Sequence, residues 1–357
     1  MCKSFINENM TIVGMIRMNV VLCEYAEKRE FTAGNKARTD TVRILKSQGY
    51  KHIPLFRSKS KKIIVLLQMM WGSIRSIISA NKDDVIFLQY PYYPSIVNKT
   101  LFRVLRIGRA LKKYKIELLL HDVVGLRSGP NAGQVLSQEV NEFNSLDKVI
   151  CHNDKMRSAL KDAGCSVELA ILGPFDYLVE KSKIPSIKSE RDGGEAVVIA
   201  GNLSEEKCGY VYKLNELSNV EFRLYGIGYT GKSDDKITYE GKFDPEELVK
   251  VLKGNFGLVW DGDSLETCDG VYGNYLKYNN PHKFSLYLVA GIPLIVWNQS
   301  ALADHVRRYN LGICIESLYE LNDLNINPEI YKGMKKSVAV YRDELIRGSH
   351  LVKALNM

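Results

Sequence analysis

The chain has 357 residues, of which 45% are hydrophobic and 25% are charged. This composition is typical of a globular protein and excludes a disordered or fibrous chain, and the length suits two domains rather than one core. The formal net charge of +8 favours an anionic partner such as a nucleotide or an acidic surface. The basic residues are spread along the chain without the stripe that is typical of nucleic-acid binders, so we predict no nucleic-acid partner.

The cysteines and the apolar runs predict where the protein resides. The seven cysteines include no C-x-x-C pair and no histidine at ligand spacing, which argues against a disulfide framework and a zinc site. The apolar stretch at residues 20–22 is too short for a secretion signal. The longest other apolar run, residues 63–67, is far below the ~20 residues that span a bilayer. We expect a cytoplasmic protein whose membrane contact, if any, is peripheral and at the inner face of the cell membrane.

Short apolar runs alternate with longer amphipathic segments, which indicates β-α-β units and parallel sheets. In the first half we predict strands at residues 11–22, 51–56, 84–88, 117–121 and 148–151. The helices predicted between them include residues 35–48, 63–80 and 95–114. The polar segment 180–194 ends in two glycines and is the predicted linker.

The same alternation restarts after the linker. Strands are predicted at residues 197–200, 221–225, 236–239, 255–260 and 292–296, and helices at residues 244–253, 281–290, 302–309 and 328–347. We therefore predict two doubly wound α/β domains, residues 1–179 and 195–335. Ligands of such sheets bind beyond the carboxyl ends of the strands, so the site is expected in the cleft between the domains.

The turn formed by residues 279–283 is the first predicted phosphate site. Asn280 is predicted as the N-cap and Pro281 as the first residue of the following helix. The first backbone N–H groups of that helix would attract phosphate, assisted by the helix dipole and by the charge of Lys283. His282 can add a hydrogen bond, and Asn279 lies at the same turn. The alternative is an ordinary helix start on a surface loop.

Two further turns are predicted to face the same cleft. Asn202 follows a buried strand and leads to Lys207, but the glycine pattern of a dinucleotide site is incomplete there. Thr32 and Asn35 lie in a loop of small residues that opens a helix and could contact the donor diphosphate or sugar. A purely structural turn is the alternative for both.

Asp261 and Asp263 follow another strand and could hold a divalent cation beneath a diphosphate. We favour hydrogen-bonding loop residues instead, because the helix start and Lys283 can neutralise phosphate without a metal. No metal and no other cofactor is therefore predicted. The following loop, residues 265–278, is rich in Gly, Asp and Tyr and is predicted to be mobile over a sugar.

His121 and Asp122 end a predicted strand of the first domain on the cleft side. A hydroxyl that attacks an anomeric carbon needs a base to take its proton, and either side chain can act as that base. The alternative is a strand-end pair that caps a loop.

Several of these segments resemble one family. The resemblance rests on the block at residues 275–283, on Asp261 to Ser264, on Asn35 to Arg38 and on His121-Asp122. It extends to Asn153, to residues 175–177 and to residues 201–203, and so spans nearly the whole chain. These segments are similar to bacterial cell-surface glycosyltransferases, namely β-1,6-galactofuranosyltransferases and glucosyltransferases that extend O-glycans on serine-rich adhesins.

The resemblance implies a GT-B fold, with two facing Rossmann-like domains, the donor mostly in the second and the acceptor mostly in the first. It implies a UDP-sugar donor, no required metal, and UDP contacts at Thr32, near Lys207, at Tyr239 and at residues 279–283. It also implies a C-terminal helix, residues 336–357, that can pack back on the first domain.

The sequence thus predicts a glycosyltransferase that moves glucose, galactose or galactofuranose from a UDP-sugar to a lipid-linked or protein-linked glycan. Direct displacement with inversion is the predicted mechanism, with Asp122 or His121 as the base. A homo-oligomer is also predicted. The alternative is a non-catalytic subunit that binds a partner transferase or an acceptor protein.

Overall fold

The computed structural model describes residues 19–26, 33–57, 62–92, 96–127, 129, 131–187 and 196–357. Twelve strands in this part of the chain form two six-stranded sheets in which every pairing is parallel. Buried apolar side chains on both faces of such sheets explain why the strands read as short hydrophobic runs.

The first sheet has the order β2-β1-β3-β4-β5-β6. Its strands are β1 (Val20–Ala26), β2 (Lys51–Arg57), β3 (Val85–Tyr90), β4 (Lys115–Leu120), β5 (Lys148–Cys151) and β6 (Glu168–Ile171). Its helices are α1 (Ala33–Ser47), α2 (Lys62–Ser79), α3 (Ile96–Lys112), α4 (Ala132–Phe143) and α5 (Asp154–Asp162).

The second sheet has the order β12-β11-β10-β7-β8-β9. Its strands are β7 (Ala196–Asn202), β8 (Glu221–Ile227), β9 (Ile237–Gly241), β10 (Phe256–Val259), β11 (Leu294–Trp297) and β12 (Gly312–Ile315). Its helices are α6 (Glu205–Cys208), α7 (Pro245–Val251), α8 (Gly270–Tyr275), α9 (His282–Val289), α10 (Ala303–Tyr309), α11 (Pro328–Ile346) and α12 (Ser349–Leu355).

The first predicted strand, residues 11–22, ends four residues before β1 does. Within the described residues β1 begins at Val20 and continues to Ala26, because Val20, Val21 and Leu22 pair with residues 51–53 of β2. The rest of the predicted strand, residues 11–18, lies outside the described residues. No helix in the described ranges is long and apolar enough to cross a membrane.

The predicted linker is described only as far as residue 187. This part contacts the second domain, since Lys183 pairs with Glu247 at 2.8 Å and the carbonyl of Pro185 accepts from Arg342 at 2.8 Å. Residues 188–194 of the linker lie outside the described residues.

The C-terminal segment is two helices instead of one. Gly348 separates α11 from α12 with a φ of 73°, a left-handed conformation that favours glycine. In α12, Leu351 and Ala354 are buried in one cluster with Val21 and Phe87 of the first sheet. The last helix therefore packs on the first domain.

The loop predicted to be mobile, residues 265–278, is a packed segment. It contains α8, and Leu265, Cys268 and Tyr275 are each buried. Gly273 fits only without a side chain, because a Cβ there would lie 2.6 Å from the carbonyl oxygen of Asp261. Apolar residues within the polar loop thus anchor it to the core, and its movement over a sugar stays a prediction.

Candidate functional site

A cavity of about 380 Å³ lies between the two sheets, where the loops after several strands meet. Its walls come from both domains, as expected for ligand sites beyond the carboxyl ends of parallel strands. The predicted site residues in its lining are His121, Asp122, Asn202, Lys207, Asn279, Asn280, Pro281, His282 and Lys283. The structure therefore brings most of the predicted residues together.

The 279–283 turn is held by the first domain. The backbone N–H of Asn280 donates to Nδ1 of His152 at 3.0 Å, and the Asn280 side chain donates to the carbonyls of His152 and Gly173 at 3.0 and 2.8 Å. Asn153 donates to Oδ1 of Asn280 at 2.7 Å. All polar atoms of the Asn280 side chain are thus used in fixing the turn.

These contacts correct the predicted helix cap. Pro281 is the N-cap of α9, His282 is the first helical residue, and Asn280 makes no capping bond. The amide of Asn280 points instead to the first domain. The N–H of Phe284 donates to the carbonyl of Pro281 at 3.0 Å, whereas the N–H groups of His282 and Lys283 precede the first intrahelical bond.

Two buried polar atoms beside this helix start lack a partner in the described structure. They are Oδ1 of Asn279 and Nε2 of His282, and both residues line the cavity. Burial lowers the pKa of His282 to about 3, and the nearby charge of Lys36 acts in the same direction, so its ring is neutral. Buried polar atoms are rarely left unpaired, so we expect a water or a polar ligand in the cavity to bind these two.

Lys283 is occupied by an ion pair. Its Nζ donates to Oδ1 of Asp261 at 2.9 Å and to the carbonyl of Trp260 at 2.7 Å. Although burial alone would lower the pKa of Lys283, the Asp261 carboxylate raises it. The prediction that Lys283 adds a full charge to the phosphate site is therefore corrected, because Asp261 neutralises that charge.

Lys207 and Lys242 are the cavity lysines without a carboxylate partner in the described structure. Lys207 follows β7 and lies 5.6 Å from the ring centre of Tyr272, and Lys242 follows β9. Since the charges of Lys283 and Arg127 are matched by Asp261 and Asp122, these two lysines give the cavity its net positive charge.

His121 lies at the end of β4 and is held in one orientation. Its ring stacks on Phe175 with centroids 5.3 Å apart, and its Nε2 lies 2.7 Å from Oε1 of Gln89. The Gln89 amide nitrogen lies 3.3 Å from the carbonyl of Arg38, which orients Oε1 toward the histidine. Nε2 then carries the hydrogen and Nδ1 carries the lone pair. Burial, with the charge of Arg38, lowers the pKa of His121 well below its usual value.

Asp122 pairs with Arg127, whose Nη2 lies 2.8 Å from Oδ1 of the carboxylate. The guanidinium lies 5.2 Å from the ring centre of Tyr275 in α8, and the Tyr275 hydroxyl accepts from the N–H of Val123 at 2.8 Å. Asp122 is thus connected to the second domain through Arg127 and Tyr275.

The two aspartates considered as metal ligands do not act together. Asp261 pairs with Lys283, whereas Asp263 pairs with Lys213 at 2.7 Å on the surface. Among the described residues, no group of three or more His, Cys, Asp or Glu side chains is arranged to hold a metal ion.

Of the predicted contacts among the described residues, Asn35 and Tyr239 are not part of the cavity lining. Asn35 lies in the first turn of α1, outside the lining, and Thr32 lies outside the described residues. Tyr239 lies behind the wall, where its ring packs on Tyr229 and its hydroxyl donates to the carbonyl of Gly226 at 2.9 Å. Gly226 itself lines the cavity, so Tyr239 contacts the wall, and its contact with UDP stays a prediction.

Other lining residues were not among the predicted site residues. Arg127, Phe175, Tyr177, Lys242 and Tyr272 line the same cavity. Arg127 could have been found, because it follows the His121-Asp122 pair within the same loop. Lys242 and Tyr272 carry no comparable local signal, since only the tertiary fold brings them to the cleft.

The chain matches both domain models of one family. The N-terminal domain model of the glucosyltransferase 3-like family covers residues 19–174, and the C-terminal domain model covers residues 197–357. The chain belongs to the glucosyltransferase 3-like family. This result confirms the resemblance found in the sequence.

Curated relatives agree with this assignment. The chain is 32% identical over 332 residues to beta-1,6-galactofuranosyltransferase WbbI of Escherichia coli (strain K12), covering 89% of this chain and 92% of the relative. It is 27% identical over 277 residues to glucosyltransferase 3 of Streptococcus parasanguinis, covering 74% of this chain and 75% of the relative. The protein is therefore a glycosyltransferase.

Solved structures with a similar fold include a trehalose-6-phosphate protein from E. coli bound with UDP-2-fluoro glucose. It superposes with a TM-score of 0.59 at 9% identity and covers 95% of this chain and 98% of its own. The UDP-forming trehalose-phosphate synthase of Burkholderia vietnamiensis gives a TM-score of 0.58 at 11% identity, covering 97% of this chain and 100% of its own. At this identity the likeness concerns the fold alone, and it confirms the GT-B architecture of two Rossmann-like domains.

Proposed function

We propose that this glycosyltransferase moves a hexosyl residue, namely glucose, galactose or galactofuranose, from a UDP-sugar to a glycan acceptor in cell-surface polysaccharide or glycoprotein synthesis. The observation that carries the proposal is the start of α9, where free backbone N–H groups, Lys207 and two unpaired buried polar atoms face one cavity. We further propose a lipid-linked or protein-linked acceptor, which the first domain binds.

The diphosphate of the donor would lie at the start of α9. The N–H groups of His282 and Lys283 can donate to phosphate oxygens, and the helix dipole favours the negative charge. Lys207 and Lys242 supply the positive charge that Lys283 cannot, because Asp261 already neutralises it. This arrangement supports departure of UDP without a metal ion, since preorganised donors and cations stabilise the charge that develops on the leaving group.

The sugar of the donor would lie next to the two unpaired buried atoms of Asn279 and His282. Oδ1 of Asn279 accepts hydrogen bonds and so suits a sugar hydroxyl. Nε2 of His282 suits a hydroxyl or a phosphate oxygen according to its tautomer. Tyr225 of β8, Phe243 after β9 and Leu248 of α7 form an apolar wall that offers a surface for the uracil.

Direct displacement with inversion is the proposed reaction. An acceptor hydroxyl attacks the anomeric carbon of the donor, the bond from that carbon to the UDP oxygen breaks, and a base takes the hydroxyl proton. Nδ1 of His121 has the lone pair for this step if the ring keeps the tautomer that Gln89 imposes. Asp122 is the alternative base, although Arg127 already engages its carboxylate.

Calorimetry with UDP and a panel of UDP-hexoses tests the donor assignment. Lys207→Ala and Lys242→Ala are each expected to weaken UDP binding by about tenfold, with a shallower salt dependence, because each removes one unpaired cation. Lys250→Ala is the matched control, since Lys250 is exposed on α7 outside the cavity and should not change UDP affinity.

Two further measurements test the need for a metal ion and the stereochemistry of the transfer. Full activity in EDTA would support metal independence, and a product of inverted anomeric configuration by NMR would support direct displacement. If the chain binds no UDP-sugar and hydrolyses none, the donor assignment fails.

A further inference from the structure

The outward face of α2 is apolar. One side of the helix packs on the first domain, with Met69 and the small residues Ser73 and Ser76 buried, as expected for core packing. The other side exposes a row of large apolar residues at helical spacing. The members of this row are Ile64, Leu67, Met70, Trp71, Ile74 and Ile78.

Helix α3 extends the same face. Gly108 of α3 lies against α2 so closely that a Cβ would lie 2.7 Å from Cδ1 of Ile77. Nζ of Lys112 donates to the carbonyls of Ile78 and Ala80, both at 2.9 Å, at the end of α2. Ile107 and Leu111 of α3 are 60% and 80% exposed. We call the surface formed by these eight apolar residues of α2 and α3 the basic apolar face, because basic side chains of the same two helices flank it.

The charge on these helices has one sign. Neither α2 nor α3 contains a single Asp or Glu, and no acidic residue occurs between residues 85 and 116. Arg75, Lys99, Arg103 and Arg106 are exposed on the two helices and form no ion pair within the described ranges. Large apolar side chains flanked by unpaired cations are typical of helices that lie in a membrane interface.

We propose that the basic apolar face docks on the surface of an anionic lipid bilayer, with Trp71, Leu67 and Ile78 entering the headgroup region and the arginines of α3 contacting anionic headgroups. A second copy of this chain fits less well. A two-fold interface would place this face against itself and so bring the same unpaired cations together, which is unfavourable. An anionic surface complements both the charge and the apolar row.

This inference goes beyond the proposed function and does not depend on the donor site. It gives the acceptor-side domain a defined contact with the membrane, where a lipid-linked acceptor would lie. The donor cavity is formed by other residues, so donor binding and membrane docking can be tested separately.

Tryptophan fluorescence gives a direct readout. Of the three tryptophans, Trp71 is 63% exposed, whereas Trp260 and Trp297 are 0% and 1% exposed. Addition of vesicles that contain phosphatidylglycerol should shift the emission to the blue and protect it from iodide quenching. Vesicles of phosphatidylcholine alone should do neither. Trp71→Phe should still bind the anionic vesicles but lose the fluorescence change.

Co-flotation of the full chain with the same vesicles tests the residues. Leu67→Glu and Ile78→Glu change exposed positions and are expected to abolish binding, whereas Val340→Glu, at a site 70% exposed on α11, should leave it intact. Arg103→Gln with Arg106→Gln should lower the partition by about tenfold or more, and added salt should weaken the parent similarly.

Three results would overturn the docking proposal. They are no binding of the parent to anionic vesicles, equal binding to phosphatidylcholine alone, or an oligomer that Ile78→Glu dissociates while the parent ignores vesicles. The last result would assign the face to a second copy. UDP affinity measured on the same variants shows whether the donor site stays intact. A failure of the docking proposal can therefore be distinguished from a failure of the UDP-sugar proposal.

Discussion

The backbone N–H of Asn280 in the second domain donates to Nδ1 of His152 in the first, with 3.0 Å between the two nitrogens. Nε2 of His152 lies 2.9 Å from the carbonyl of Leu120, so Nε2 carries the hydrogen and Nδ1 must be unprotonated. Burial lowers the pKa of His152 to about 4, which keeps the ring neutral. The position of the 279–283 turn therefore depends on a neutral histidine of the opposite domain.

The first prediction concerns this contact. His152→Ala leaves a buried N–H of Asn280 without an acceptor and should lower the free energy of unfolding by about 1–3 kcal/mol. UDP affinity should fall as well, because the turn loses its support. His152→Asn offers an oxygen near the position of Nδ1 and should restore part of both quantities. Denaturant unfolding and calorimetry with UDP measure them, and unchanged UDP binding in His152→Ala would contradict the supporting role.

The same residue makes a prediction about pH. In the unfolded chain His152 binds a proton below about 6.5, whereas in the folded chain it does so only below about 4. Between these values the unfolded state binds more protons, so its contribution to stability is present above pH 6.5 and is lost as the pH falls toward 4. The stability difference between wild type and His152→Asn should therefore shrink across this window, by up to about 1.4 kcal/mol per pH unit. A constant difference from pH 7 to pH 4 would rule out this titration.

The second prediction concerns the buried ion pair of Lys283 and Asp261. Lys283→Met leaves the Asp261 carboxylate, which is 5% exposed as a residue, without its counter-charge and should cost about 3–5 kcal/mol of unfolding free energy. Adding Asp261→Asn should recover much of the loss. The surface pair Lys213 and Asp263, with side chains 41% and 67% exposed, is the control, and Lys213→Met should cost less than about 1 kcal/mol. Equal losses in the two lysine variants would contradict a structural role for Lys283.

The third prediction separates the two proposed bases. If Nδ1 of His121 takes the proton, His121→Asn should lower kcat by about 10²–10⁴ with little change in UDP affinity. Asp122→Asn should then act mainly through Arg127 and change KM more than kcat. Because the pKa of His121 is held well below its usual value, the wild-type rate should stay level from pH 8 to 6 and fall only in stronger acid. A large loss of kcat in Asp122→Asn alone would assign the base to Asp122.

The fold was predictable because each buried parallel strand is a short apolar run. Strand β5 has the predicted bounds, residues 148–151, and most other predicted elements match within a few residues. The predicted first strand ends too early, because β1 continues past Leu22 to Ala26 although Glu24 interrupts the apolar run. Strands β6 and β12 were missed because each lies at the edge of its sheet and is less buried than β5, so its sequence carries a weaker apolar signal.

The site was predictable only at the level of single loops. The 279–283 turn and the His121-Asp122 strand end are local signals, and both line the cavity. The partners of these residues are distant in the chain. Asn280 and His152 are 128 positions apart, and Lys283 and Asp261 are 22 apart. The sequence alone therefore predicted a free charge on Lys283 and a capping role for Asn280. It does not show the distant groups with which these two residues form hydrogen bonds.

The last prediction concerns α12, the helix that returns from the second domain to the first. The carboxylate of Asp176 accepts from the N–H groups of His350 and Leu351 at 3.1 and 2.8 Å, which fixes the start of α12, and Leu351 is buried beside residues of the first sheet. Leu351→Ala removes buried apolar contacts and should lower the free energy of unfolding by about 2–5 kcal/mol.

Val340→Ala is the control for this variant, because Val340 is 70% exposed on α11 and should change stability by less than about 0.5 kcal/mol. Asp176→Asn weakens the two hydrogen bonds to α12 and should be destabilising in the same direction as Leu351→Ala, with a smaller loss. Unfolding followed by denaturant titration measures all three. If Leu351→Ala were as stable as Val340→Ala, the return of α12 would contribute nothing to joining the domains, and the other contacts between them, such as those of Asn280 with His152 and Gly173, would carry that role.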